Sequence, residues 1–231
     1  MTLRIAALAS GRGSNVGTII RHCQNRAIDG EVVQVLCNRP GAPVIDLARK
    51  AGVPVWCKSH TEAPNRESFD QEMLTVLTEA KADLIVLAGY MRLLSSRFIA
   101  AFPNRIINVH PSLLPAFTGA HAPDDAEAYG VCFSGCSVHF VEEALDSGPI
   151  IVQAAVAVRS GEKADDFMPR VHALEHRILP QAIQWIAENR LAVNARHVTL
   201  LPPEVPARSP MPGPGLALPE GAMVSPPLEG F

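Results

Sequence analysis

The stretch Ile5-Ala6-Ala7-Leu8-Ala9-Ser10-Gly11-Arg12-Gly13-Ser14-Asn15 decides the fold. Five consecutive apolar residues suit a strand buried on both faces. Gly11 and Gly13 punctuate that run, and Val16–Gln24 then follows with helical spacing. Strand, glycine turn and helix together open a parallel α/β sheet. The same pattern recurs downstream. Val32–Cys37, Val53–Cys57 and Leu84–Ala88 are short apolar runs, and Val44–Lys50, Ser68–Ala80 and Ser96–Ala101 are helical stretches between or after them. Ile106–His110 reads as a further central strand. The expected fold is a mostly parallel sheet with helices on both faces.

The second half changes character. Cys136–Val141 and Ile150–Val158 read as strands with no clear helix between them, which predicts an antiparallel addition. Lys163–Glu188 reads as one long helix carrying Pro169 near its start and Pro180 inside, where proline must kink or break it. Leu191–Asn194 and His197–Leu200 are spaced for a small hairpin. Nine prolines fall between Pro202 and Pro227. A segment of that composition buries too little apolar surface to offset its ordering entropy. The expected organisation is a catalytic domain over 1–200 and a proline-rich tail over 201–231, disordered or loosely draped.

Composition narrows the function. Of 231 residues, 48% are hydrophobic, and 20 Lys and Arg stand against 23 Asp and Glu, for a formal charge of −3. That balance gives no reason to expect nucleic acid or an anionic membrane as partner. The apolar run at the N-terminus is shorter than the ~7–15 residues of a signal peptide's core. The longest apolar stretch, near Leu84–Met91, is far short of the ~20 residues of a membrane span. The five cysteines include no CxxC pair and complete no zinc pattern. The expectation is a metal-free cytoplasmic protein with reduced thiols.

Three features point to chemistry. The Ser10–Asn15 turn lies where a parallel sheet binds ligands, at the carboxyl end of a strand. Its glycines let backbone approach an anion, and free N–H groups at the helix start favour phosphate. The same turn also serves as a plain strand–helix connection capped by Ser14 or Asn15. Asn108-Val109-His110 closes the fifth strand, and strand alternation points residues 108 and 110 to one face. An amide donor beside an imidazole suits a reaction that passes through an oxyanion. Asp146 sits in the Glu142–Pro149 turn, and a carboxylate brought to His110 would raise its pKa by roughly 1–3 units. Both residues also have structural readings, as a satisfied strand-end histidine and a turn-forming aspartate. Ser134-Gly135-Cys136-Ser137 lacks the order of a nucleophile elbow, so no covalent acyl-enzyme is expected.

Read together, Ser10–Asn15, Ala88–Leu94, Asn108-Val109-His110-Pro111-Ser112-Leu113-Leu114-Pro115, Gly135–Val141 and Leu145–Gln153 resemble the folate-dependent phosphoribosylglycinamide (GAR) formyltransferases of purine biosynthesis. The resemblance covers nearly all of residues 1–200. It implies a Rossmann-like formyltransferase fold and transfer of a formyl group from 10-formyltetrahydrofolate to the GAR amine. It implies Asn108, His110 and Asp146 as the catalytic trio, and Gly13, Ser14, Asn15, His172 and Glu175 as GAR contacts. The folate would lie along Met91, Arg92, Leu93, Leu94, Asn108, Val141, Glu142, Glu143 and Ala144, with Arg66 near its glutamyl carboxylates. A homodimer is compatible with the resemblance.

Thr118-Gly119-Ala120-His121-Ala122-Pro123 departs from the family's usual Pro-Gly-Leu-His-x-His, and His172 stands where a glutamine is common. Methionyl-tRNA formyltransferases share the trio but carry a C-terminal nucleic-acid-binding domain. Formyltetrahydrofolate deformylases share it too, and hydrolysis is the runner-up reading. A flavodoxin-like binding module would keep the glycine turn without needing the trio.

Overall fold

The computed structural model describes residues 2–204 and 218–231. Its elements are β1 (Leu3–Ala9), α1 (Ser14–Gln24), β2 (Gly30–Cys37), α2 (Pro43–Lys50), β3 (Val55–Cys57), α3 (Arg66–Glu79), β4 (Leu84–Leu87), α4 (Ser96–Ala101) and β5 (Ile106–His110). There follow α5 (Ala122–Tyr129), β6 (Phe133–Phe140), β7 (Ile150–Ala157), α6 (Ala164–Ala187), β8 (Leu191–Asn194), β9 (His197–Leu200) and β10 (Met223–Ser225). The strand order is β10-β7-β6-β5-β4-β1-β2-β3, with β8 and β9 paired separately. Contacts divide the chain into two compact units: residues 1–108 with 140–143, and residues 109–139 with 144–231.

In the first unit, β1 pairs in parallel with β2 and β4, β2 with β3, and β4 with β5. The central runs of β1, β2, β4 and β5 are mostly apolar because both faces are covered there. Ala6, Leu8, Leu36, Ile85 and Leu87 pack with Phe69, Met73 and Leu77 of α3 and Phe98 of α4 in one buried cluster. Alternation sends Ala7, Ala9 and Val86 to the other face, and α1 and α2 pack beside β2. Asn65 and Ser95 start α3 and α4 by accepting the N–H groups of Ser68 and Phe98, which satisfies donors a helix start leaves unpaired.

The second unit carries the antiparallel addition that the sequence predicts. β6 pairs antiparallel with β7, from Phe133↔Ala157 to Val138↔Val152. A Cβ on Gly135 would lie 2.9 Å from Leu113 Cδ2 and overlap the Ala154 carbonyl, so glycine permits this close approach. β8 and β9 form the hairpin expected around Ala195-Arg196.

The structure differs from expectation at three places. α6 continues as one helix from Ala164 to Ala187 with Pro169 and Pro180 inside it. Its buried face (Val171, Leu174, Ile178, Leu179, Ala182, Ile183, Trp185) outweighs the hydrogen bond that Pro180 cannot make. Helix α5 was not foreseen, although its signals are local: Pro123 and two aspartates in the first turn, and Gly130 at φ 78° closing it.

The expectation of a disordered tail fails at residues 218–231. β10 pairs antiparallel with β7, Met223↔Ala155 to Ser225↔Gln153. Glu229 accepts from Arg190 Nη1 and Nη2 at 2.5 and 2.9 Å and from Trp185 Nε1 at 3.1 Å. Its N–H donates to Gln181 Oε1 at 2.6 Å, and Phe231 is buried. The Arg190 side chain is only 5% exposed; a buried cation requires a paired anion, and Glu229 helps to supply it. Composition could not reveal this long-range partner. The rest of the tail expectation, over 205–217, lies outside the described residues. No described helix is long and apolar enough to cross a membrane.

Candidate active site

The first unit builds the glycine turn between β1 and α1. β1 delivers the chain to Ser10, whose hydroxyl donates to Asn38 Oδ1 at 2.6 Å and accepts the Met91 N–H at 2.8 Å. The Ser10 N–H donates to the Gly89 carbonyl at 3.0 Å. The turn is thereby fixed to the segments that follow β2 and β4. Gly13 begins α1 at φ 76°, and a Cβ there would lie 2.7 Å from Val44 Cβ. Both the left-handed backbone and the lack of space require glycine. No side-chain hydrogen bond caps α1, and the backbone N–H groups of a helix start are the kind of donor that suits an anion.

The carboxyl ends of β1, β4 and β5 therefore carry Ser10, the Met91–Leu94 strip and Asn108 in one unit. Met91 and Leu93 are 56% and 49% exposed, whereas Leu94 is buried. Arg92 stacks over the Phe69 ring, 4.7 Å from its centroid. Arg66 stands exposed in the first turn of α3. Val141 is half-buried and its N–H donates to the Ile106 carbonyl, while Glu142 and Glu143 are exposed.

The second unit brings together the two members of the trio that are far apart in sequence. His110 closes β5, and its Nδ1 lies 3.5 Å from Asp146 Oδ2, with side chains 6% and 7% exposed. Asp146 Oδ2 also accepts the Gly119 N–H at 2.8 Å. His110 Nε2 lies 2.8 Å from the Phe117 carbonyl oxygen. Asn108, two residues before His110 on the same strand, is half-buried.

One further group completes the cluster. His139 Nε2 lies 3.7 Å from Asp146 Oδ1, so the carboxylate faces an imidazole on each oxygen. Sequence reasoning missed His139. Its only local signal was its place at the end of β6, one of many polar residues on strands.

The loop that carries these contacts is held at its start. Ser137 Oγ donates to the Ser112 carbonyl at 2.7 Å and accepts the Leu114 N–H at 3.1 Å. Gln153 Nε2 donates to the Leu114 carbonyl at 3.0 Å and to Ser137 Oγ at 2.8 Å. Phe117 and Asp146 both adopt positive φ, 50° and 49°. Non-glycine residues rarely do so, and such conformations gather where surrounding structure fixes functional groups.

His172 and Glu175 lie three apart on α6 and so share a face. Glu175 is 5% exposed. Burial, and secondarily the charge of Glu175, hold the Cys136 thiol well above its ordinary range, so Cys136 is inert as a nucleophile.

The Formyl transferase family model matches residues 3–183. The chain belongs to the formyl transferase family. This formyl transferase is 38% identical over 206 residues to the phosphoribosylglycinamide formyltransferase of Escherichia coli (strain K12), an alignment covering 87% of this chain and 97% of that one. It is 40% identical over 190 residues to the trifunctional purine biosynthetic protein adenosine-3 of Drosophila pseudoobscura pseudoobscura, but spans only 14% of that protein's length. The crystal structure of glycinamide ribonucleotide transformylase 1 from Symbiobacterium toebii matches at a TM-score of 0.85 and 44% identity, over 87% of this chain and 95% of that chain.

Proposed function

We propose that this formyl transferase moves the formyl group of 10-formyltetrahydrofolate to the amine of GAR, giving formylglycinamide ribonucleotide and tetrahydrofolate. The observation that carries the reading is the buried His110–Asp146 pair at 3.5 Å, with Asn108 on the same strand. An amine attacking a formyl carbon produces an oxyanion and a nitrogen that must lose a proton. The Asn108 amide and the His110 imidazolium are donors for that oxyanion. Asp146 balances the imidazolium charge and serves in moving the proton from the attacking amine toward the departing folate nitrogen.

Substrate binding completes the proposal. The GAR phosphate sits on the Gly13, Ser14 and Asn15 cradle, and His172 and Glu175 meet its sugar or glycinamide end. The exposed Met91 and Leu93, with Arg92, Leu94 and residues 141–144, form the folate surface. Arg66 is the cation for its carboxylates. Near-full-length likeness to the Escherichia coli enzyme supports the acceptor, as does a cradle that a hydrolase without a phosphorylated acceptor would not need.

The test is incubation with 10-formyltetrahydrofolate in the presence and absence of GAR. Folate deformylation that requires GAR, with matching formylglycinamide ribonucleotide, is expected. Formyl loss at equal rate without GAR would establish a deformylase instead.

A further inference from the structure

We propose that Cys37 and Cys57 form a reversible oxidation site, closing to an intramolecular disulfide when the protein meets a peroxide. β2 ends at Cys37 and β3 at Cys57, and their parallel ladder pairs Val35↔Val55, Leu36↔Trp56 and Cys37↔Cys57. Directly paired residues on neighbouring strands share a face, with backbones about 4.8 Å apart. That spacing falls within the ~4.4–6.8 Å Cα separation of disulfides. The register therefore sets the two side chains side by side on one face of the sheet. Cys37 Sγ also lies 3.3 Å from the Arg39 carbonyl oxygen.

The two sulfurs differ in access. Cys37 is fully buried and Cys57 is half-buried on the last strand of the order, which is three residues long. A peroxide therefore meets Cys57 first. The Cys57 thiolate attacks a peroxide oxygen and the O–O bond breaks. This leaves a sulfenic acid and a hydroxide, which becomes water with the thiol's proton. Cys37 sulfur then attacks the sulfenic sulfur, the S–O bond breaks, and the departing hydroxide takes the Cys37 proton as a second water. Two thiols lose two electrons, and one peroxide becomes two waters.

Side chains one strand spacing apart are wider than the ~3.8 Å mean Cβ separation of a relaxed bridge. The short strand must shift to close it, and a bridge under that strain is readily reduced. Burial first, then the neighbouring Cys37, raises the Cys57 thiol above its ordinary value, with Glu62 adding to the rise and Arg49 opposing it. Oxidation is accordingly slow near neutrality and speeds up as pH rises. Asn38, directly after Cys37, accepts the Ser10 hydroxyl, so the site lies one residue from a support of the glycine turn.

The experiment uses full-length protein carrying Cys132→Ser, which removes an exposed thiol able to cross-link molecules. The protein is treated with hydrogen peroxide, alkylated, and digested without reductant for mass spectrometry. The expected product links the Cys37 and Cys57 peptides, disappears with dithiothreitol, and does not form in Cys57→Ser. Its initial rate rises by up to about tenfold per pH unit below the thiol pKa. Separately alkylated Cys37 and Cys57, a Cys57 link to another cysteine, or Cys57 overoxidised beside a free Cys37 would each overturn the proposal.

Discussion

At the residue scale, the proposed chemistry rests on the groups gathered at Asp146. Its carboxylate accepts the Gly119 N–H and faces His110 and His139, in a cluster with little exposure. His110→Ala removes the proposed proton carrier, and kcat is expected to fall by about 10²–10⁴-fold. Asn108→Ala removes one oxyanion donor, for a loss of about 10²–10³-fold in kcat. Steady-state kinetics with both substrates, together with GAR binding by calorimetry, checks both. Unchanged kcat in either variant would remove that residue from the reaction. Asn108 and His110 were legible in sequence because they lie two apart on a strand whose apolar pattern is clear. The pairing of His110 with Asp146 came from a family resemblance, since no periodicity relates positions 36 apart. His139 shows the limit: its neighbour is visible only once β6 and the 144–149 turn are placed.

At the element scale, α1 and its entry turn link sequence most directly to the proposed function. Gly13 combines φ 76° with no room for a Cβ beside Val44. Gly13→Ala is expected to destabilise the protein by about 1–3 kcal/mol, measured by urea denaturation, and to weaken GAR binding more than folate binding. Equal stability would mean that the turn relaxes around a methyl group. The apolar runs identified β1 to β5 because buried parallel strands need no partner-specific signal. Boundaries shifted by a few residues where ladder hydrogen bonds, rather than side-chain polarity, define the ends. α6 shows the reverse case. Pro180 read as a kink or break in one long helix, yet a continuous buried face keeps that helix whole.

At the scale of the whole molecule, the C-terminal residues matter most. The Arg190 guanidinium holds the Glu229 carboxyl below the usual carboxylate range, with the Trp185 N–H assisting and burial opposing. A carboxyl with a lowered folded pKa contributes stability above its unfolded pKa, about 4.3, and that contribution is lost as pH falls through the lower folded value. Acidification is therefore expected to release residues 218–231 before the second unit unfolds. A change in Trp185 emission should report it, since its indole N–H donates to Glu229, and Trp56→Phe isolates that signal. Glu229→Gln should abolish this acid-dependent step. It should also cost about 1–3 kcal/mol in chemical denaturation, because Glu188 and the Leu201 carbonyl still partner Arg190. An acid transition unchanged in Glu229→Gln would assign it to other groups.

The sequence by itself determined the period of each element, the mostly parallel class with its antiparallel addition, and the glycine turn. These follow from local rules: side-chain alternation, helical spacing, and the backbone freedom of glycine. Tertiary structure alone decided that His139 joins the Asp146 cluster, that residues 218–231 dock on β7 and Arg190, and that Cys37 faces Cys57. Each joins residues separated in the chain by more than one local period, and strand register, turn placement and the pairing of a buried charge fix the contacts.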